Sequence, residues 1–119
     1  MKTVLIVDDT EFNIDLLTQL LEDDYNLIVA RDGEQGVAMA LEHRPDLVLM
    51  DINLPTIDGY EATRRIRANA DLQSMPIIGL SAHAMTAHEE KAREAGCNDY
   101  LTKPIDEEAL FSKLNQYLG

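Results

Sequence analysis

Short apolar runs alternate along this chain with segments whose apolar residues return every three or four positions. The runs occupy 3–7, 27–30, 46–50, 76–80 and 99–102. They are rich in Val, Ile and Leu and nearly continuous, which predicts strands covered on both faces. The helical segments lie at about 11–22, 33–44, 59–70, 87–95 and 107–118. In the first, Ile14, Leu17, Leu20 and Leu21 form one stripe; in the last, Leu110, Phe111, Leu114 and Leu118 do the same. Five strand–helix units with short connections predict a parallel sheet with helices on both faces.

Starts and stops agree with this reading. Asp32, Asp58 and Thr86 are each followed three residues later by Gln or Glu, the pattern of a reciprocally capped helix start. Asp106 is placed to cap the last helix. Pro45 ends the second helix and Gly96 follows the fourth. The stretch Glu22-Asp23-Asp24-Tyr25 joins the first helix to the second strand without a glycine, so a tight or distorted turn is expected there.

Composition narrows the class. At 119 residues the chain makes one domain, 1–119, long enough to bury a real core. Its 22 acidic and 10 basic residues give a net charge of −12. Such a surface repels nucleic acid and anionic membranes, so neither is expected as a partner. Cys97 is the one cysteine, which excludes an internal disulfide and a thiolate metal site; a small buried residue is expected. No apolar run approaches the length of a membrane span and no signal peptide opens the chain, so a cytoplasmic location is expected.

The chemistry lies where the runs end. The first leads into Asp8-Asp9, the third into Asp51, the fourth into Ser81, and the fifth into Lys103-Pro104. In an open parallel sheet, ligands bind outside the carboxyl ends of the strands. The topology therefore gathers three carboxylates, a hydroxyl and an ammonium in one crevice. Taken singly, Asp8 or Asp9 reads as a cap for the first helix, and Asp51 as a loop acid. As a set they repel one another unless a positive group intervenes. Mg²⁺, held by one or two carboxylates together with waters and a phosphate oxygen, relieves that repulsion, and Lys103 adds a fixed cation.

These residues resemble the receiver domain of two-component response regulators. The resemblance spans the whole chain and rests on Leu5-Ile6-Val7-Asp8-Asp9, the run from Asp46 through Asp51 to Pro55, Asp58-Gly59, Leu80-Ser81-Ala82 and Leu101-Thr102-Lys103-Pro104. It implies a flavodoxin-like α/β fold, a doubly wound five-stranded parallel sheet in order 2-1-3-4-5 with five helices. Asp51 would accept a phosphoryl group from a phosphohistidine on a histidine kinase or histidine phosphotransfer protein. Asp9, Asp51 and the Asn53 carbonyl would ligate Mg²⁺, with Asp8 acting mainly through water. Lys103 would neutralise charge on the transferring group, and Ser81 would hydrogen-bond the new phosphoryl.

The resemblance also implies a switch rather than a turnover enzyme. Tyr100 matches the family's switch aromatic, and reads equally as a half-buried strand tyrosine. Drawing Ser81 toward the phosphoryl would leave space into which Tyr100 can turn. Signal would leave for a downstream target through the face of the fourth helix, last strand and last helix. Asn53 and His83, two residues beyond the acceptor and the hydroxyl, would flank the phosphoryl group and influence its lifetime. His83 and His88, five apart, do not make a metal pair, and His43 reads as an exposed helix residue. The Lys103–Pro104 bond would be cis.

Two other classes fit part of this pattern. A haloacid-dehalogenase-type phosphatase also uses an aspartate nucleophile after a parallel strand, but expects a second acid where Asn53 stands. A purely structural module would not need Asp8, Asp9, Asp51, Ser81 and Lys103 together. The stretches Asp8–Asn13 and Ala82-His83-Ala84-Met85 are similar to receivers of hybrid kinases, phosphorelays and cell-division regulators. A stand-alone regulator and a domain of a larger kinase both fit.

Overall fold

The computed structural model of the chain describes residues 1–82 and 86–119, without the side chain of Thr86. The strands are β1 (Thr3–Val7), β2 (Asn26–Ala30), β3 (Leu47–Asp51), β4 (Ile77–Ser81) and β5 (Asp99–Thr102). The helices are α1 (Glu11–Leu21), α2 (Gly33–His43), α3 (Gly59–Arg67), α4 (Thr86–Ala95) and α5 (Glu107–Leu118). All strand pairs are parallel, in the order β2-β1-β3-β4-β5, as the pattern predicts.

Successive residues of a strand face opposite sides, and both sides here are covered. Leu5, Val7, Val48, Met50 and Ile77 pack with Ala40 of α2, Ala62 and Ile66 of α3, and Ala92 and Ala95 of α4. Val4, Ile6, Leu47, Leu49, Ile78 and Leu80 pack with Leu17 and Leu21 of α1 and Leu110 and Leu114 of α5. The apolar stripes of α1 and α5 thus meet the same face of the sheet. Among the described residues, no helix is long and apolar enough to cross a membrane.

Element ends follow local chemistry. The carboxylates of Asp32, Asp58 and Asp106 accept the amides of Gln35, Glu61 and Ala109, closing the first turns of α2, α3 and α5. The expected cap at Thr86 lies outside the described side chains. α2 stops at Arg44, whose backbone is left-handed (φ 46°), directly before Pro45. α3 is shorter than its pattern suggests. Asn69 turns its side chain back to accept the amide of Asp71, and a 3₁₀ turn over Ala70–Leu72 replaces the last helical turn. The 22–25 connection is a tight turn in which Asp24 and Tyr25 both donate to the carbonyl of Leu21 (3.1 and 3.0 Å). It uses no left-handed residue, which explains the missing glycine.

β3 and β4 each run one residue further than the apolar pattern. Asp51 pairs with Leu80, and Ser81 with Thr102, so both polar residues belong to the sheet itself. At the other end of these strands, the Asp46 carboxylate accepts the amide of Thr3 (2.7 Å), and Pro76 has no amide to contribute.

Candidate functional site

The carboxyl ends of β1, β3, β4 and β5 converge, and the residues found there are those the sequence singled out. The amide of Asp8 extends the sheet by donating to Ala30 (3.0 Å). This draws the Asp8 carboxylate inward until it is 1% exposed. One of its oxygens accepts the amide of Thr10 (2.9 Å) and the other faces the Lys103 ammonium at 3.5 Å. Asp8 therefore does not cap α1, and neither does Asp9. Thr10 holds that position, with extended backbone and no side-chain bond to the helix. Asp8 closes a local turn instead, because its carboxylate is committed to the crevice.

Asp51 ends the central strand and is 2% exposed. Its Oδ1 accepts the amide of Asn53 (3.1 Å) and lies 3.3 Å from Lys103 Nζ. Asp9 stands exposed at the rim. One carboxylate oxygen from each of Asp8, Asp9 and Asp51 can be chosen so that all three lie within 4.8 Å of one another. Burial, and then the charge of Asp8, push the Asp51 carboxyl above its ordinary value, against the opposing pull of Lys103 and the Asn53 amide. The site thus holds more negative charge than one lysine comfortably offsets. The donor set, hard oxygens from three carboxylates of which two are buried, fits a hard divalent cation such as Mg²⁺.

Ser81 closes the crevice from β4. It is buried, and its carbonyl accepts the amide of Lys103 (2.7 Å). That bond fixes the start of the Lys103 segment beside β4, and the bond to Pro104 is cis. The loop on the other side is also held. Gly59 donates to the Ile52 carbonyl (2.9 Å) and sits so close to the strand end that a Cβ would lie 2.4 Å from the Asp51 carbonyl oxygen. Within this loop Thr56 takes a left-handed backbone, φ 69°.

Tyr100 lies on β5. It is buried rather than half-buried, at 8% exposure, in the core with Ile52, Tyr60, Ala92 and Cys97. Cys97 is buried as expected, and burial raises its thiol pKa. His43 is exposed and His88 half-buried, while His83 lies outside the described residues.

The sequence reading missed a second polar centre, at the opposite end of β5. Asp99 accepts Lys113 Nζ (2.9 Å) and the Tyr117 hydroxyl (3.1 Å), with Arg93 at 3.9 Å. Arg93 and Tyr117 also reach the carbonyl of Asn98 (3.0 and 3.2 Å). Burial raises the Asp99 carboxyl, but the bonds from Lys113, the Tyr100 amide and Tyr117 outweigh it and hold the pKa below the ordinary value. The signal was a lone acid heading an otherwise apolar run.

Known proteins resemble this chain in sequence and in fold. The polar-differentiation response regulator DivK of Brucella anthropi is 40% identical over 119 residues, covering 99% of this chain and 97% of its own. The receiver domain of a Pseudomonas aeruginosa sensor histidine kinase superposes with a TM-score of 0.90 at 38% identity, covering 98% of this chain and 96% of that one; its structure has a magnesium ion coordinated in the active site cleft. The receiver domain of the Saccharomyces cerevisiae response regulator Ssk1, co-crystallised with the histidine phosphotransfer protein Ypd1, superposes with a TM-score of 0.91 at 31% identity, covering 98% and 88%. The family model of the response regulator receiver domain matches residues 4–115. With β2-β1-β3-β4-β5 topology, an acid cluster at the strand ends and a match of this extent, the chain belongs to the response regulator receiver domain family.

Proposed function

We propose that the chain is a phosphorylation-dependent signalling switch that takes a phosphoryl group from a phosphohistidine onto Asp51. The observation that carries this reading is the position of Asp51. It is a buried carboxylate at the end of the central strand, with Lys103 at 3.3 Å and two further acids beside it.

An Asp51 oxygen attacks phosphorus, the P–O bond forms as the P–N bond breaks, and the departing imidazole keeps the electron pair and takes a proton. The product is an acyl phosphate. Asp9 and Asp51, with the Asn53 carbonyl, would hold Mg²⁺, and Asp8 would act through water. When bound, that ion supplies positive charge to the oxygens of the transferring group, which is most of what this chemistry asks of a protein. Lys103 contributes charge from the other side. The Asn53 amide on Asp51 Oδ1 leaves the other oxygen as the nucleophile. The Ser81 hydroxyl bonds the new phosphoryl.

The donor is a histidine kinase or a histidine phosphotransfer protein, a reading supported by the co-crystal of the Ssk1 receiver domain with the histidine phosphotransfer protein Ypd1. The response leaves through the face of α4, β5 and α5. A ligand shifts an equilibrium only by its differential contacts with the two states. Here that contact is Ser81 with the phosphoryl, which favours the arrangement in which Tyr100 is inside. Asn53, two residues beyond Asp51, influences how long the phosphoryl group lasts. The chain acts in the cytoplasm and, as a switch, does not turn over a substrate.

The test is chemical localisation. After treatment with acetyl phosphate and Mg²⁺, borohydride converts an acyl phosphate to an alcohol that peptide mass mapping can place. The expected site is Asp51, and trapping at any other carboxylate overturns the assignment.

A further inference from the structure

Tyr60 follows a glycine packed hard against the end of β3. Gly59, its neighbour, lies against the peptide joining Asp51 to Ile52, where even a methyl group would come within 2.4 Å of the Asp51 carbonyl. The Gly59 amide is bonded to Ile52 as well. The first residues of α3 thus ride on the end of β3, and a shift at Asp51 is passed to them without slack.

The Tyr60 side chain leads away from that contact toward another helix. It is 5% exposed and packs in the core with Ile52, Ala92 and Tyr100. Its hydroxyl donates to the His88 carbonyl in α4 at 3.4 Å, and the Lys91 ammonium lies over its ring, 4.6 Å from the centroid. Both partners belong to α4, one to its first turn and one to its outer surface. A cation over an aromatic face and a hydroxyl on a helix carbonyl depend on angle as well as distance. They therefore respond to a small rotation of α4 against α3.

The other end of α4 is tied down. Arg93 bonds the Asn98 carbonyl (3.0 Å) and Cys97 donates to Ala92 (2.9 Å). Arg67 reaches from α3 to the Gly96 carbonyl (2.9 Å) and to Asn98 Oδ1 (2.7 Å). A helix pinned at its C-terminal end and held by Tyr60 near its N-terminal end pivots rather than slides.

We infer that Tyr60 is a positioning residue that couples the state of Asp51 to α4 through Gly59, by a route that starts from the end of β3 rather than from Ser81. The inference rests on Asp51 being the phosphoacceptor. Two routes converging on one helix predict that blocking either leaves a partial response and blocking both removes it.

The experiment is amide exchange over residues 86–95, with and without beryllofluoride and Mg²⁺, on the parent, Tyr60→Phe, Lys91→Met, Ser81→Ala and the Tyr60→Phe/Ser81→Ala double variant. Tyr60→Phe removes only the hydroxyl, and Lys91→Met changes only the surface of α4, so a folding failure in one leaves the other as the test. The expected result is a reduced beryllofluoride-induced change in each single variant and its loss in the double variant, with uptake of phosphate from acetyl phosphate preserved in Tyr60→Phe and Lys91→Met. A purely packing role alters exchange equally with and without beryllofluoride; an unchanged difference in both Tyr60→Phe and Lys91→Met overturns the proposal. If the parent itself does not respond, the reading of Asp51 falls and this coupling with it.

Discussion

Replacing Asp9 by Asn should make the metal-free protein more stable, although it removes a residue assigned to the site. Asp8, Asp9 and Asp51 bring carboxylate oxygens within 4.8 Å of one another, while the Lys103 ammonium lies 3.5 Å from Asp8 and 3.3 Å from Asp51. Among the described residues, no cation lies in ion-pairing range of Asp9. At 4.8 Å, two like charges repel by about 3.5 kcal/mol at an effective dielectric of ~20 and by about 0.9 kcal/mol in water. Lys103 offsets the Asp8–Asp51 repulsion, which leaves the repulsion of Asp9 with both. Asp9 is exposed, so the water figure governs, and the sum over two neighbours is about 1–2 kcal/mol. Asn keeps the shape and removes the charge.

In EDTA the variant should melt about 4–8 °C above the parent, on the usual conversion of stability to Tm for a domain this size. Mg²⁺ at ten times its Kd should raise the parent by about 1.4 kcal/mol and the variant by much less. Scanning calorimetry with EDTA, with Mg²⁺, and with Na⁺ at matched ionic strength reads both effects. A variant that melts at or below the parent in EDTA, or that gains as much from Mg²⁺, refutes the reasoning.

Thr56 holds a left-handed backbone at φ 69° with a β-branched side chain. Thr56→Gly should stabilise by about 0.5–1 kcal/mol, strain relief less the added chain entropy, measured as a shift of the urea midpoint at constant slope. The pull of Lys113, Tyr100 and Tyr117 lowers the Asp99 pKa, so the native state binds fewer protons there than the unfolded chain. That contribution is complete well above the ordinary aspartate value of about 3.9 and is lost as pH falls through the lower folded value. Lys113→Met should flatten the acid limb of a stability–pH curve and cost about 1–3 kcal/mol near neutral pH. A limb as steep as the parent's counts against the pairing.

The fold was legible because parallel strands buried on both faces announce themselves as apolar runs, and acids that cap α2, α3 and α5 mark where those helices begin. The acid site was legible for a related reason. In this topology strand ends share one edge, so Asp8, Asp9, Asp51, Ser81 and Lys103 are far apart in sequence yet placed together by strand order alone. Features that depend on side-chain direction or local backbone choice were not legible. Asp8 turns into the crevice instead of onto α1, a choice set by the Ala30 carbonyl that holds its amide. Asn69 cuts α3 short by bonding its own neighbourhood, although the apolar period runs on. Thr56 carries no glycine to mark its left-handed turn. Tyr100 reads the same from sequence whether its ring lies inside or out, and the core against α3 and α4 decides it.

The central claim is that Asp51 accepts the phosphoryl group, and intact mass tests it most directly. The parent and Asp51→Asn are each incubated with acetyl phosphate and Mg²⁺ and weighed whole. The account predicts that the parent gains the mass of a single phosphoryl group, which disappears with EDTA, and that Asp51→Asn gains nothing. The same mass gained by Asp51→Asn, or no gain by the folded parent, contradicts it.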